Sequence, residues 1–269
     1  MDWNDAYANA PYIKDAGNYR LHWAEQAAAF RLAQGSHYHF MSYGDHQREV
    51  LDLFMPIHEP KGLAVFVHGG YWLDFNSSSW SHLAAGALMQ GWAVAMPTYT
   101  LAPEAHIKDI TQQIGRAINF AASKVIGPLC LAGHSAGGHL VTRMMCEDSP
   151  LSREMQTRLR KVTSISGLHD LRPLLNTSMN AQWQMDKAEA WQESPVLKAP
   201  LDDVQLTCWV GADERPEFIR QNDLLANMWT SFDLPLQNYH APNHHHFSVI
   251  NDLTDPQSAL VEAFIGKVI

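Results

Sequence analysis

The period of the apolar positions changes repeatedly along this chain. Residues 49–55 (EVLDLFM) alternate apolar and polar, as a half-buried strand does. Residues 63–67 (LAVFV) are apolar throughout and stop at His68-Gly69-Gly70, which suits a central strand covered on both faces. Comparable short runs fall at 92–96 (WAVAM), 129–132 (LCLA), 162–166 (VTSIS) and 206–210 (LTCWV), with a last strand at 236–240 (LQNYH). Between them the spacing turns helical at 81–90, 105–124, 137–146, 216–230 and 256–268. Upstream, a loop leads into a helix ending near Ala33, with Leu21, Trp23, Ala24, Ala27, Ala28 and Leu32 on helical spacing. Strands alternating with helices predict the α/β class: a mostly parallel central sheet with helices on both faces. Residues 167–204 break the alternation. They carry several turn residues with Pro173 and Pro195, and read as a small lid or cap inserted into a single domain spanning 1–269.

The chemistry sits where the apolar runs end, beyond the carboxyl ends of the strands, where such sheets bind ligands. Gly133-His134-Ser135-Ala136-Gly137 joins a strand to a helix and has the form G-x-S-x-G. A serine on that turn is held in a strained conformation at the mouth of the sheet. The flanking glycines let strand and helix approach without a Cβ clash, and the helix N-terminus favours developing negative charge. Ser135 is therefore the expected nucleophile. An acyl-transfer site also needs fixed N–H donors for the oxyanion. Ala136, the residue after the nucleophile, is one. The other should come from His68-Gly69-Gly70-Tyr71-Trp72, with Gly70 and Tyr71 the first choices and Gly69 close behind.

In folds with this elbow the chain order is nucleophile, acid, base. Asp213 is the first carboxylate after LTCWVGA and is the expected acid. Glu214 beside it is the fallback, and Asp170 and Asp203 are more distant alternatives. The base lies in HAPNHHHFSVI, which offers His240, His244, His245 and His246. His246 is chosen because Phe247, Val249 and Ile250 can anchor it. Three consecutive histidines point in different directions, so they make a poor metal site. No metal or organic cofactor is expected.

Composition narrows the class further. The 269 residues are 46% hydrophobic and 17% charged, ordinary for a globular enzyme. A net charge of −9 without a basic run argues against nucleic acid and anionic membranes as partners. Cys130, Cys146 and Cys208 are odd in number and widely spaced, which suggests neither a disulfide framework nor a zinc site. The first residues lack a basic and an apolar region, and no stretch reaches membrane-span length, so a cytoplasmic enzyme is expected.

Taken together, HGGYW, GHSAGG, the Asp213–Phe218 run and the His246-Phe247 pair resemble the kynurenine formamidase (arylformamidase) group of α/β-hydrolases. The resemblance extends from about residue 45 to the end and includes YTLAPE at 99–104, SGLHDL at 166–171, Ser194-Pro195 and PEFIRQ at 216–221. HGG-x-W is the more telling motif, since many related esterases carry HGGG. The triple histidine departs from the single one expected. The resemblance implies a Ser135, Asp213, His246 triad with Gly69, Gly70 and Ala136 around the oxyanion. It also implies hydrolysis of N-formyl-L-kynurenine to kynurenine and formate, and a homodimer. A small-molecule substrate with an aromatic part needs a flat apolar wall, for which Tyr71, Trp72 and Trp183 are candidates. The competing readings are a carboxylesterase for small acyl or aryl esters and a ligand-binding protein on an inactive hydrolase scaffold.

Overall fold

The apolar runs become an eight-stranded sheet, seen in a computed structural model that describes residues 1–267. The strands are β1 (Tyr38–Ser42), β2 (Val50–Phe54), β3 (Leu63–Val67), β4 (Ala93–Pro97), β5 (Leu129–His134), β6 (Leu159–Ile165), β7 (Gln205–Gly211) and β8 (Leu236–Ala241). Their spatial order is β1-β2-β4-β3-β5-β6-β7-β8. The β1/β2 and β2/β4 pairs are antiparallel, and all other neighbours run parallel. The expected α/β architecture is the observed one. Strands β3, β4, β5 and β7 are buried along their whole length, which is why they read as largely apolar runs.

The helices are α1 (Trp3–Ala6), α2 (Ala16–Gln34), α3 (Ala85–Met89), α4 (Ile107–Ala122), α5 (Ala136–Arg143), α6 (Arg153–Arg158), α7 (Asn180–Trp183), α8 (Lys187–Gln192), α9 (Pro216–Trp229) and α10 (Ala259–Ile265). Alternate residues of each strand serve opposite faces. Leu63, Val65, Val67, Leu129 and Leu131 pack with α4, α5 and α9 residues such as Ile114, Leu140 and Phe218. Ala64, Phe66, Cys130 and Ala132 pack with Trp23 of α2, Ala87 of α3 and Leu260 of α10.

Some boundaries differ from expectation for local reasons. The helix expected at 81–90 divides into a 3-10 turn, Ser81–Ala84, and the short α3. The last helix occupies Ala259–Ile265, starting after Ser258, whose hydroxyl accepts from the Val261 N–H; expected residue 268 lies outside the described residues. Strand β1 was not anticipated. As an edge strand with one neighbour it exposes Phe40, so its apolar positions follow no buried face.

Residues 167–204 lie between β6 and β7, with α7, α8 and two 3-10 turns. They are packed into the core through Leu168, Leu171, Leu174, Trp183, Ala190 and Val196. The Gln221 side-chain oxygen of α9 accepts from the His169 and Asp170 N–H groups at 2.9 and 2.7 Å.

Candidate active site

Strand β5 ends in the sharp turn that the glycine spacing implied. Ser135 has φ 56° and ψ −118°, a conformation that non-glycine residues rarely adopt. The turn is fixed from below by the Ser135 N–H, which donates to the Ile165 carbonyl at 2.8 Å. The motif glycines are steric necessities: a Cβ on Gly133 would lie 2.1 Å from the Gly137 carbonyl oxygen, and one on Gly137 would lie 2.0 Å from that of Val67. Ala136 opens α5, so its N–H is among the unsatisfied donors of a helix start. Opposite it, Gly70 (φ 104°), Tyr71 (φ 54°) and Trp72 (φ 57°) form a left-handed turn after β3. The Gly70 carbonyl accepts from Leu73 and Asp74, while the Gly70 and Tyr71 N–H groups meet no backbone acceptor among the described residues.

The expected base and the candidate acids follow β8 and β7. His246 Nδ1 stands 2.6 Å from Glu214 Oε2, with both side chains buried. The other carboxylate oxygen, Oε1, accepts from the Gly211 N–H at 2.9 Å and from the Ser166 hydroxyl. Asp213, the acid expected from the sequence, is exposed; its backbone N–H donates to the His244 carbonyl, and it is Glu214 that pairs with His246. The expectation is thus corrected to its neighbour: the turn after β7 carries Asp213 outward and folds Glu214 back beneath the imidazole. Asp170 instead holds Arg172 at 2.8 Å.

The histidine run also sorts itself by partner. His245 Nδ1 accepts from the Phe247 and Ser248 N–H groups at 3.2 Å, and its Nε2 meets the Tyr19 hydroxyl at 3.1 Å. His244 Nδ1 donates to the Ser248 carbonyl at 3.2 Å. His240 pairs with Asp223 at 2.7 Å. Of these four, His246 alone reaches the buried carboxylate. Sequence reasoning missed two supports. His134, inside the serine motif, donates from Nε2 to the His246 carbonyl at 2.9 Å and packs its ring 4.6 Å from the His246 ring. Burial, then the neighbouring His246, holds the His134 pKa well below its ordinary value, so it stays neutral. Ser166, the hydroxyl donor to Glu214, was visible only as part of a motif. No group of three or more His, Cys, Asp or Glu side chains suited to a metal occurs among the described residues.

Ser135 and His246 open onto one cavity of about 480 Å³. Its apolar wall is built from Tyr7, Trp23, Tyr71, Phe75, Trp80 and Phe247. Tyr71 lines this cavity. Trp72 and Trp183 are not in that wall and are corrected to core residues: both are fully buried and meet edge to face at 5.8 Å. The left-handed turn sends Tyr71 toward the cavity and Trp72 under it, and the Trp183 indole N–H donates to the Tyr71 carbonyl at 2.7 Å. From the 167–204 insertion only Ser178 and Met179 reach the cavity, whereas the N-terminal segment supplies Asn4 and residues 7–11. That segment is tied down by the Tyr7 hydroxyl, which donates to Glu217 at 2.7 Å, and by Tyr71, whose hydroxyl donates to the Tyr7 carbonyl at 2.6 Å. No helix is long and apolar enough to cross a membrane among the described residues.

Known proteins share this arrangement to different depths. A kynurenine formamidase from Danio rerio is 26% identical over 235 residues, covering 84% of this chain and 80% of its own. A crystal structure from Silicibacter sp. TM1040, described as a candidate thioesterase, is 48% identical with a TM-score of 0.94, covering 98% of this chain and 99% of that one. An esterase from Pyrobaculum calidifontis, 15% identical with a TM-score of 0.71 over 97% of this chain and 94% of its own, shares the fold. A family model for the alpha/beta hydrolase fold matches residues 64–217, from within β3 through the elbow to the start of α9. The chain is a hydrolase enzyme of the alpha/beta hydrolase fold family.

Proposed function

We propose that this hydrolase is an arylformamidase that converts N-formyl-L-kynurenine to L-kynurenine and formate. The observation carrying the reading is the aromatic-walled cavity above Ser135 and His246, in a chain similar to a kynurenine formamidase over 84% of its length. The Ser135 Oγ attacks the formyl carbon while His246 Nε2 takes its proton, and the Ala136 N–H with Gly70 and Tyr71 N–H groups receives the oxyanion. Gly69 backs the elbow and shapes this loop: a Cβ there would lie 2.9 Å from Ser135 Cβ. Glu214 holds the imidazole in the tautomer that accepts at Nε2 and stabilises the imidazolium. His246 then protonates the departing aryl amine, leaving a formyl-serine. Water deprotonated by His246 attacks this ester and releases formate. A formyl group needs almost no acyl pocket, so the aromatic wall serves the leaving group.

The 48% identity to the Silicibacter protein favours thioester hydrolysis as the second reading. Against a polyanionic thioester carrier, no Lys or Arg lines the cavity. Purified protein assayed on N-formyl-L-kynurenine, p-nitrophenyl acetate and a short acyl thioester, with Ser135→Ala as control, separates the readings. Efficient formamide turnover lost in the variant supports the proposal; ester or thioester cleavage without it sinks the formamidase assignment. The homodimer implied by the family belongs to this proposal, and sedimentation velocity tests it.

A further inference from the structure

Three consecutive residues after β3, Gly70, Tyr71 and Trp72, have positive φ, and two of them are not glycine. Backbone of that kind costs energy and persists only where its surroundings hold it. Each carbonyl of the turn is held by a donor. That of Gly70 accepts from the Leu73 and Asp74 N–H groups, that of Trp72 from the Ala102 N–H at 2.9 Å, and that of Tyr71 from the Trp183 indole at 2.7 Å. Tyr71 is held a second time, at the far end of its side chain: its hydroxyl donates to the Tyr7 carbonyl at 2.6 Å. No backbone N–H among the described residues competes for that carbonyl. Tyr7 is itself fixed from α9. It is buried, its hydroxyl donates to Glu217 Oε1 at 2.7 Å, and that hydroxyl accepts from Gln221 Nε2 at 2.9 Å. Arg220 grips the same Glu217 carboxylate through two hydrogen bonds, at 2.8 and 2.7 Å. Between Glu217 and Gln221, Phe218 meets the Tyr7 ring edge to face at 6.0 Å and lies 4.4 Å from the His246 ring.

A chain of contacts therefore runs from α9 through Tyr7 to Tyr71, the residue whose N–H is proposed to receive the oxyanion, and the same helix packs against His246. We infer that Tyr7 is a positioning residue, a strut that sets the Tyr71 N–H relative to Ser135. This role rests on the acyl-transfer reading of Ser135 and Tyr71, whichever acyl group is transferred. Oxyanion donors act because they are aimed before the charge develops, and a misplacement of about 1 Å at a reacting centre can cost as much as 10²-fold in rate. Tyr7 stands 64 positions before Tyr71 and 210 before Glu217, so neither β3 nor the elbow dictates this contact. The N-terminal segment contributes it in addition to its part of the cavity wall. Because the Tyr7 hydroxyl is engaged by Glu217 and Gln221, its removal changes where the oxyanion turn sits and leaves the ring that faces the cavity and the charge of Glu214 as they are.

Phenylboronic acid tests the strut, because its tetrahedral adduct with an active serine places an oxygen where the oxyanion forms. Tyr71→Phe and Tyr7→Phe each delete one hydroxyl and keep the aromatic ring in the cavity wall. Each should lower kcat/KM on p-nitrophenyl acetate by roughly tenfold, part of the 10²–10³ lost with a whole donor, and raise the phenylboronic acid Ki by a similar factor. The double variant should lose no more than the worse single one, because both changes cut the same strut. Tyr43→Phe removes a bond of the same kind, from its hydroxyl to the Thr98 carbonyl at 2.7 Å, outside the cavity wall, and should leave both values unchanged. Circular dichroism checks that the variants fold; if Tyr7→Phe does not, Tyr71→Phe cuts the strut at its other end. An unchanged Ki in the folded variants, or losses that multiply in the double variant, would overturn the strut alone. Wild-type protein that phenylboronic acid does not inhibit, or Ser135→Ala that keeps the esterase activity, would sink the reading of Ser135 and the strut with it.

Discussion

Replacing Glu214 by Gln tests the part in catalysis proposed for its carboxylate, because it keeps the shape and removes the charge. In the native site Oε1 accepts two hydrogen bonds, from the Gly211 N–H and the Ser166 hydroxyl, and Oε2 faces His246 Nδ1 at 2.6 Å. A glutamine that keeps its oxygen toward Gly211 must turn its NH2 toward Nδ1. Nδ1 then accepts, the ring proton moves to Nε2, and the nitrogen facing the cavity becomes a donor that cannot take the Ser135 proton. The flipped amide is no better, since it sets NH2 against the Gly211 N–H. Loss of the correct tautomer in such a triad lowers kcat by roughly 10⁴, about 5.4 kcal/mol of transition-state stabilisation. The expected outcome on p-nitrophenyl acetate is therefore a fall in kcat of that order with KM nearly constant, because the cavity wall is untouched. Asp213→Asn should cost no more than about threefold in kcat, since that carboxylate is exposed and off the imidazole. Near-wild-type kcat in Glu214→Gln, or an equal loss in Asp213→Asn, would refute the assignment of the acid.

Other consequences follow from particular contacts. Ser166→Ala deletes one of the two donors to Glu214 Oε1, and kcat should drop roughly tenfold with KM held; an unchanged kcat would show that the hydroxyl does not support the acid. Gly133→Ala places a Cβ 2.1 Å from the Gly137 carbonyl, so the denaturant midpoint should fall by an amount corresponding to about 1–3 kcal/mol or more; wild-type stability would contradict the close approach. Burial holds His68, His82 and His169 neutral, with pKa values lowered from 6.5 to about 4. Between those values the unfolded chain binds more protons, so stability is complete above about pH 6.5 and declines as pH falls toward 4, by up to about 1.4 kcal/mol per pH unit for each histidine. Urea unfolding at several pH values measures this slope, and a flat profile between pH 6.5 and 4.5 would refute it.

Much of the fold was legible because its signals are local. A strand covered on both faces is apolar almost throughout, and LAVFV and WAVAM satisfy that condition by themselves, LTCWV with the single exception of Thr207. The elbow was legible because its steric demand falls on residues two apart from Ser135, Gly133 and Gly137, and the turn after β3 because it needs its glycines. What the sequence could not decide is which of two adjacent carboxylates faces inward. That depends on the turn after β7 meeting the His244 carbonyl, a contact made across 31 residues. The same limit separated Tyr71 from Trp72, consecutive aromatics sent to opposite sides by left-handed backbone. It also hid the N-terminal segment, whose short polar and aromatic stretch has no periodicity of its own. Only when Tyr7 reaches Glu217, 210 positions away, does that segment become a wall of the site. Local sterics and periodicity are written into neighbouring residues; the direction of a side chain is set by partners that only the folded chain brings near.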